Sequence, residues 1–193
     1  MAKVKWKQTK FLTESDVNHL RDEFKDHYYI ILSRRSNYLS TFFIGLGTFL
    51  VTGKWGRYTH ALMNLEDVVH SDSDYRFIEA TGEGTHYEGL AGVLSEVDAV
   101  ALLLPKNVTK EEWTECLDNA KTYLGTPYDN LFNVYQSNEI NCCELVRVAL
   151  QALPDYSTRF AKFEEMIVNS GKKLTPQMYL ECEDFEIVWH SGQ

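Results

Sequence analysis

Two helix-start signals that enclose a run of strand-like segments constrain the fold of this chain most. Thr13 with Asp16, and Thr109 with Glu112, have the spacing of a capping box at the first turn of a helix. Apolar, β-branched and aromatic residues between these signals predict four strands, at residues 28–32, 58–65, 75–80 and 97–104. The two middle strands flank a polar turn at residues 71–74 and predict an antiparallel hairpin. The order predicts an α+β fold, in which an antiparallel sheet packs against helices.

Length and composition suit a single domain over residues 1–193, with residues 1–25 as an N-terminal helical extension. Apolar residues make up 44% of the chain, which is enough for a buried core, and no Gly-, Ser- or Pro-rich linker marks a boundary. A further helix near residues 159–168 and a last strand at residues 185–189 are predicted. The formal net charge of −9 argues against nucleic acid as a partner, because binding to phosphates needs a basic face.

Cysteine usage and hydropathy bear on the cellular compartment. Four scattered cysteines, and a basic N-terminus with no apolar run behind it, predict a reducing, cytoplasmic location without a signal peptide. Residues 38–51 are the most hydrophobic segment, but they are fewer than the roughly 20 residues that cross a bilayer as a helix. We expect a buried core helix there and no membrane span. A surface for membrane contact or for a lipid substrate is the alternative.

A cysteine pair stands at the start of an amphipathic helix in the segment Asn141-Cys142-Cys143-Glu144-Leu145-Val146. Apolar residues recur on one helical face, at residues 142, 145, 146, 149 and 150. A sulfur in the first turn lies near unpaired N–H groups and the positive end of the helix dipole, which favours the nucleophilic thiolate. Burial as a small apolar side chain is the alternative. Cys116 and Cys182 are isolated, so the cysteine spacing predicts no metal site.

His60 and Glu79 are polar residues inside two apolar strands. An imidazole and a carboxylate both need hydrogen-bonding partners where they are buried. If the two strands pair, these side chains can meet on one face of the hairpin. A cysteine nucleophile gains from a histidine base that a third polar group orients, so Cys142, His60 and Glu79 together predict a catalytic set. A hydrogen-bonded core histidine is the alternative for His60.

Four short motifs occur in a fixed order along the chain: Gly56-Arg57-Tyr58-Thr59-His60-Ala61, Phe77-Ile78-Glu79-Ala80, Gly125-Thr126-Pro127-Tyr128-Asp129 and Cys142-Cys143-Glu144-Leu145-Val146. The set resembles the circularly permuted papain-like cysteine hydrolases of the NlpC-type superfamily, specifically the YiiX-like branch, over about residues 26–190. The resemblance implies a permuted papain-like fold with a small, barrel-like antiparallel sheet and the nucleophile at a helix N-terminus. It implies Cys142 as nucleophile, His60 as general base and Glu79 as orienting residue. A bacterial or bacteriophage origin is plausible on the same basis.

Two positions depart from the pattern of that family. The family's serine before the histidine is Thr59 here, and its serine after the nucleophile is Cys143, which leaves a second thiol beside the first. The motif register favours Cys142 as the nucleophile, because Leu145 and Val146 must follow the nucleophile by three and four residues. Cys143 is the alternative nucleophile.

The function that the resemblance implies is hydrolysis of an amide or peptide bond. His60 would hold the Cys142 thiolate, which attacks a carbonyl to form a thioester that water hydrolyses. The Cys142 N–H is expected to donate to the oxyanion, with Cys143, Tyr128 and Tyr28 as candidates for a second donor or for support. No cofactor, metal or oligomeric state is predicted, and the substrate is a peptide, an amide or a lipid-like molecule. A lipid acyltransferase or lipid amidase, and a non-enzymatic binding module, are the alternatives.

Overall fold

The computed structural model describes residues 12–35, 56–65, 76–95, 97–130 and 138–191. The helices are α1 (Glu14–Asp26), α2 (Leu90–Leu94), α3 (Lys110–Lys121), α4 (Cys142–Leu150), α5 (Tyr156–Arg159), α6 (Ala161–Asn169) and α7 (Pro176–Glu181). The strands are β1 (Ile30–Arg34), β2 (His60–Asn64), β3 (Arg76–Thr81), β4 (Gly84–Gly89), β5 (Ala99–Pro105) and β6 (Phe185–His190). The predicted core helix at residues 38–51 and the polar turn at residues 71–74 lie outside the described residues.

The strands form one six-stranded sheet in the order β4–β3–β2–β1–β5–β6, and neighbouring strands run antiparallel. Pairing of β2 with β3, with Met63 opposite Ile78, confirms the predicted hairpin. The α+β prediction is confirmed as well. Strand β4 was not predicted, because its glycine ends and its polar residues, such as Thr85 and Glu88, give it no apolar pattern.

Both faces of the four middle strands, β3, β2, β1 and β5, are largely buried, which explains why these strands read as continuous apolar runs. In β1, Ile30 and Leu32 belong to one core, whereas Ile31 belongs to the other. Helices α3, α4, α6 and α7 supply side chains to the first core, and α1 and α2 supply side chains to the second. The sheet is therefore the middle layer between two sets of helices.

Helix α1 begins at the predicted capping box, in which Thr13 Oγ1 accepts from the Asp16 N–H at 3.1 Å. Its Leu20 and Phe24 are buried in the second core, so the described part of the N-terminal extension packs on the sheet. The assignment of residues 1–193 to one domain stays a prediction. Among the helices of the described ranges, none has both the length and the apolarity to cross a membrane.

Helices α6 and α7 each hydrogen-bond to α4. The Arg147 guanidinium donates to both carboxylate oxygens of Glu164 on α6, at 2.7 and 3.0 Å. The Tyr179 hydroxyl of α7 donates to the Cys143 carbonyl oxygen at 2.7 Å. Tyr179 is fully buried, so this bond fixes the first turn of α4 within the core.

Candidate active site

The cysteine pair opens α4, as the sequence predicts. Asn141 is the N-cap residue, and its side-chain oxygen accepts from the Glu144 N–H at 2.9 Å. This cap leaves Cys142 as the first residue of the helix, where the backbone N–H has no partner within the helix and the dipole is positive. The local sequence therefore places a sulfur and a free backbone donor at the same helix end.

The β2–β3 hairpin brings His60 and Glu79 together. The register puts Glu79 one residue from the Met63–Ile78 pair, so that it lies diagonally across from His60. His60 Nε2 donates to Glu79 Oε2 at 2.6 Å, a short hydrogen bond of the kind that charge favours. The Glu79 side chain is only 5% exposed and that of His60 is 23% exposed. Each of these two polar side chains thus supplies the hydrogen-bonding partner that the other needs in an apolar strand.

Cys142 is the second partner of His60. A hydrogen bond from the Cys143 thiol, joined by the charge and hydrogen bond of His60, holds the pKa of the Cys142 thiol well below its usual range, although burial acts against the thiolate. Burial also acts against the imidazolium of His60, but Cys142 and then Glu79 outweigh it and raise the pKa of His60 to about 10. These directions favour a thiolate–imidazolium pair over a neutral thiol and imidazole. Because Nε2 faces Glu79, Nδ1 is the nitrogen left for the sulfur.

The two adjacent thiols have opposite properties. Burial, together with the neighbouring Cys142 sulfur, raises the pKa of the Cys143 thiol well above its usual range. This direction keeps the Cys143 thiol protonated at neutral pH, so that it can donate its S–H. Neighbouring residues on a helix point about 100° apart, so only one of the pair can face His60.

Tyr128 lies beside the same sulfur, with its hydroxyl 4.0 Å from Cys142 Sγ. An isolated parallel bridge between Tyr128 and Ile140 holds it there, and the Asp129 N–H donates to the Ile140 carbonyl at 3.1 Å. Burial, then the negative charge of Cys142, raises the pKa of the Tyr128 phenol, which stays a hydrogen-bond donor.

The turn that carries Tyr128 is docked on the β3–β4 hairpin. The Thr85 N–H donates to the Thr126 carbonyl at 2.9 Å, and the Gly125 N–H donates to the Thr85 carbonyl at 2.8 Å. Gly84 has a φ of +94°, and a Cβ there would lie 2.8 Å from the Thr126 oxygen. Glycine is thus required for the close approach that positions this turn.

Tyr28 lies elsewhere. Its ring packs against Trp113, with ring centroids 6.1 Å apart, in a cleft of about 200 Å³ beside Lys110. Ser33 is the residue of β1 opposite His60, and Tyr28 precedes Ser33 by five residues, about 16 Å of extended chain. Tyr28 therefore has no part in the site proposed below.

Three acidic or basic side chains near the site were not found by sequence reasoning. His86 and Glu88 lie on β4, and these two residues with Glu79 hold their ligand atoms within 4.8 Å of one another. No sequence pattern pointed to them, because β4 itself carried no strand signal. The third is Glu144, in the first turn of α4, whose pKa is raised to about 7, first by burial and then by the charge of Asp129.

Comparisons with known proteins show the fold and the family of this chain. A family model described as a permuted papain-like amidase enzyme of the YaeF/YiiX, C92 family matches residues 8–189. No curated protein matches the chain. Among solved structures, the chain is similar to the metalloprotein YiiX from Escherichia coli O157:H7, at 19% identity and a TM-score of 0.58, over 86% of this chain and 97% of that one. The structural likeness shows the fold. The family match covers most of the sequence, and the chain therefore belongs to the C92 family of permuted papain-like amidases, enzymes of the cysteine-hydrolase type.

Proposed function

We propose that this chain hydrolyses an amide or peptide bond through a Cys142–His60–Glu79 triad and a thioester intermediate. The observation that carries the proposal is the continuous line of contacts from the Cys142 sulfur to the His60 imidazole and on to the Glu79 carboxylate at 2.6 Å. A binding module has no need for a charged pair that costs desolvation energy in a protein core. The pair is what thiol chemistry requires.

Acylation uses the thiolate and the imidazolium in turn. The Cys142 thiolate attacks the substrate carbonyl carbon, so that a C–S bond forms and the carbonyl electrons move to oxygen. When the oxyanion collapses, the C–N bond breaks, and His60 transfers its proton to the departing nitrogen. The products of this half-reaction are a thioester on Cys142, a free amine and a neutral imidazole.

Deacylation runs the same groups in reverse. Neutral His60 removes a proton from a water molecule as its oxygen attacks the thioester carbon. Collapse of the second oxyanion breaks the C–S bond and releases the carboxylic acid and the Cys142 thiolate. The Glu79 carboxylate keeps the imidazole oriented and stabilises its cationic form, which is the resting state of the enzyme.

The oxyanion is stabilised by the backbone N–H of Cys142 and the hydroxyl of Tyr128. The first has no acceptor within its own helix, because it stands at the start of α4, where the helix dipole also favours negative charge. The second approaches the sulfur to 4.0 Å, close to where a carbonyl oxygen on the attacked carbon would lie. Cys143 supports the site by donating its S–H towards Cys142.

The substrate is an amide or peptide. A lipid-like substrate was linked to the hydrophobic segment at residues 38–51, which lies outside the described residues, and no contact within the described ranges favours it. We therefore retain the amidase reaction as the proposal and treat acyl transfer to or from a lipid as an outcome of the substrate test.

Two matched serine variants test the proposal. Cys142→Ser is expected to abolish turnover of a panel of peptide and amide substrates, whereas Cys143→Ser retains most of it. Intact-mass measurement should detect an acyl adduct with an ester or amide probe in the wild type and in Cys143→Ser only. Circular dichroism checks that both variants fold. The reverse pattern would make Cys143 the nucleophile, and full activity in both variants would remove thiol catalysis from the account. Turnover of lipid micelles alone would favour the lipid reaction.

A further inference from the structure

We propose that Glu79, His86 and Glu88 form a binding site for one divalent cation of the zinc type, next to the proposed triad. The site uses one nitrogen and two carboxylate ligands, a donor set that suits Zn²⁺ with water completing the coordination. It lies on the β3–β4 hairpin, whereas no metal site was predicted from the sequence.

The register of the hairpin places all three side chains on one face. Glu79 of β3 is directly opposite His86 of β4. Glu88 follows His86 by two residues, so it projects from the same face of β4. As a result, one ligand atom from each residue lies within 4.8 Å of the other two.

His86 directs Nε2, rather than Nδ1, at this cluster. Its Nδ1–H donates to the Gly84 carbonyl oxygen at 3.0 Å, so in the neutral ring the lone pair is on Nε2. Metal-ligating histidines characteristically donate their other ring N–H to a backbone carbonyl in this way. The backbone of the tight β3–β4 turn thus selects the tautomer that a metal needs.

The distance between His86 and Glu79 fits two ligands of one metal. His86 Nε2 lies 3.4 Å from Glu79 Oε1. If both atoms are acceptors, they repel each other unless a positive charge lies between them. A direct charge-assisted N–H···O bond between them would be shorter, at about 2.7–2.9 Å. In tetrahedral zinc with bonds of about 2.05 Å, neighbouring ligand atoms are about 3.4 Å apart.

Glu79 can serve the metal and the triad together, because it uses a different oxygen for each. Oε2 accepts from His60 at 2.6 Å, and Oε1 faces His86. The Glu79 carboxylate would then bridge the cation and the catalytic imidazole. A cation on Oε1 would draw negative charge away from His60, so occupancy of the site is expected to change the enzyme.

Glu88 is held in place by its own chain. Its Oε1 accepts from the Gly89 N–H at 2.7 Å. The carboxyl group also packs against Gly92, where a Cβ would come within 2.2 Å of the Glu88 carboxyl carbon. Glycine at residue 92 therefore leaves room for this carboxylate. His86 and Glu88 are both partly exposed, which gives a cation access from solvent.

The charges around the site set its affinity. Arg35 donates to the Gly92 carbonyl at 2.8 Å, and its charge acts on Glu79. The positive charge of this nearby guanidinium repels a metal ion at the site, so we expect moderate rather than very tight binding of the metal. The rival arrangement places a proton on His86 instead of a metal, which would make His86 and Glu79 an ordinary ion pair.

The test uses zinc binding rather than activity, and it is made in a Cys142→Ser background without an affinity tag. That substitution removes the thiolate, which with His60 could itself bind zinc. Calorimetric titration with Zn²⁺ is compared for the background protein and for the same protein with His86→Gln or Glu88→Gln. His19→Gln, on the outside of α1, and Glu83→Gln, in the exposed β3–β4 turn, are the matched controls.

We expect one Zn²⁺ per chain in the background protein and in both controls, and at least a tenfold weaker affinity in His86→Gln and in Glu88→Gln. The zinc X-ray absorption spectrum should show imidazole and oxygen ligands and no sulfur. Two different ligand variants keep the test decisive if one of them fails to fold. Absence of Zn²⁺ binding in the background protein, or an affinity that His86→Gln leaves unchanged, would overturn the site and leave His86 as an ion-pair partner of Glu79. Neither outcome bears on the Cys142 chemistry.

Discussion

Iodoacetamide should alkylate Cys142 far faster than the other three cysteines when the folded protein is treated at pH 6. All four residues are buried to a similar degree, with exposures of 2% for Cys142, 2% for Cys143, 0% for Cys116 and 4% for Cys182. Access to the reagent therefore gives no thiol a clear advantage. The preference instead reports which sulfur is a thiolate, since only the thiolate is nucleophilic.

The size of the preference follows from the pKa values. Burial raises the pKa of Cys182 to about 11 and that of Cys116 to about 12. At pH 6 the thiolate fractions of these two residues are about 10⁻⁵ and 10⁻⁶, whereas Cys142, with its pKa well below the usual range, is largely ionised. A thiolate of low pKa is intrinsically less reactive, with a Brønsted coefficient of about 0.4–0.5, so the expected net preference is on the order of 10².

The assay is a timed reaction with iodoacetamide, quenched with excess thiol and followed by peptide mass spectrometry. Labelling of Cys142 should fall little between pH 8 and pH 6, because its thiolate persists until the pH drops through its lowered pKa. An ordinary thiol of pKa about 8.5 slows about 80-fold over the same range and serves as the internal standard. Cys142→Ser should remove the fast phase entirely.

Slow and equal labelling of all four cysteines would refute the reasoning, because it would mean that His60 does not stabilise a thiolate. Fast labelling of Cys143 instead would mean that Cys143, and not Cys142, carries the activated sulfur. A fast phase at Cys142 that disappears below pH 8 would show that its pKa is not depressed.

Three further substitutions test other parts of the structure. Glu79→Gln keeps a hydrogen-bonding group but removes the charge that stabilises the His60 imidazolium, so kcat should fall by about 10²–10⁴-fold while the circular dichroism spectrum is unchanged. A loss of less than tenfold, or an equal loss in the exposed control Glu83→Gln, would contradict the role of Glu79. Tyr128→Phe removes the proposed second oxyanion donor and should lower kcat about 10²-fold with little change in KM; unchanged kcat would exclude its hydroxyl. Arg147→Met leaves the Glu164 carboxylate without its cationic partner and should lower the free energy of unfolding, measured with urea, by about 3 kcal/mol. An unchanged urea midpoint would mean that this ion pair makes no net contribution to stability.

Signals that depend on neighbouring residues in the chain were predicted well. The capping boxes at Thr13 and Thr109 are local hydrogen-bonding patterns, and both helices begin where these patterns place them. The apolar runs of β1, β2, β3 and β5 were found because both of their faces are buried, and hydrophobicity alone then marks the strand.

Strand β4 shows why the remainder could not be predicted. Its glycine ends and polar residues give it no apolar pattern, and β3 offers it hydrogen-bonding partners along its whole length. His86 is opposite Glu79 only through that pairing. No spacing along the sequence indicates which histidine will meet a given carboxylate.

The two tyrosines proposed as oxyanion donors make the same point. Tyr28 and Tyr128 were both candidates in the sequence, which does not separate them. The parallel bridge to Ile140 brings Tyr128 beside Cys142, whereas the sheet carries Tyr28 to a cleft with Trp113.

The sequence by itself determined the chemistry that this chain carries: a sulfur at the first turn of a capped amphipathic helix, and an imidazole and a carboxylate in two strands that pair. These features rest on contacts within a few residues or across one short hairpin. Only the tertiary structure decided how the pKa values of the two neighbouring thiols diverge, which tyrosine lies beside Cys142 and which second histidine adjoins Glu79. Those outcomes depend on burial and on charges brought together from distant segments, and electrostatic energies change steeply with separation and with exclusion of water.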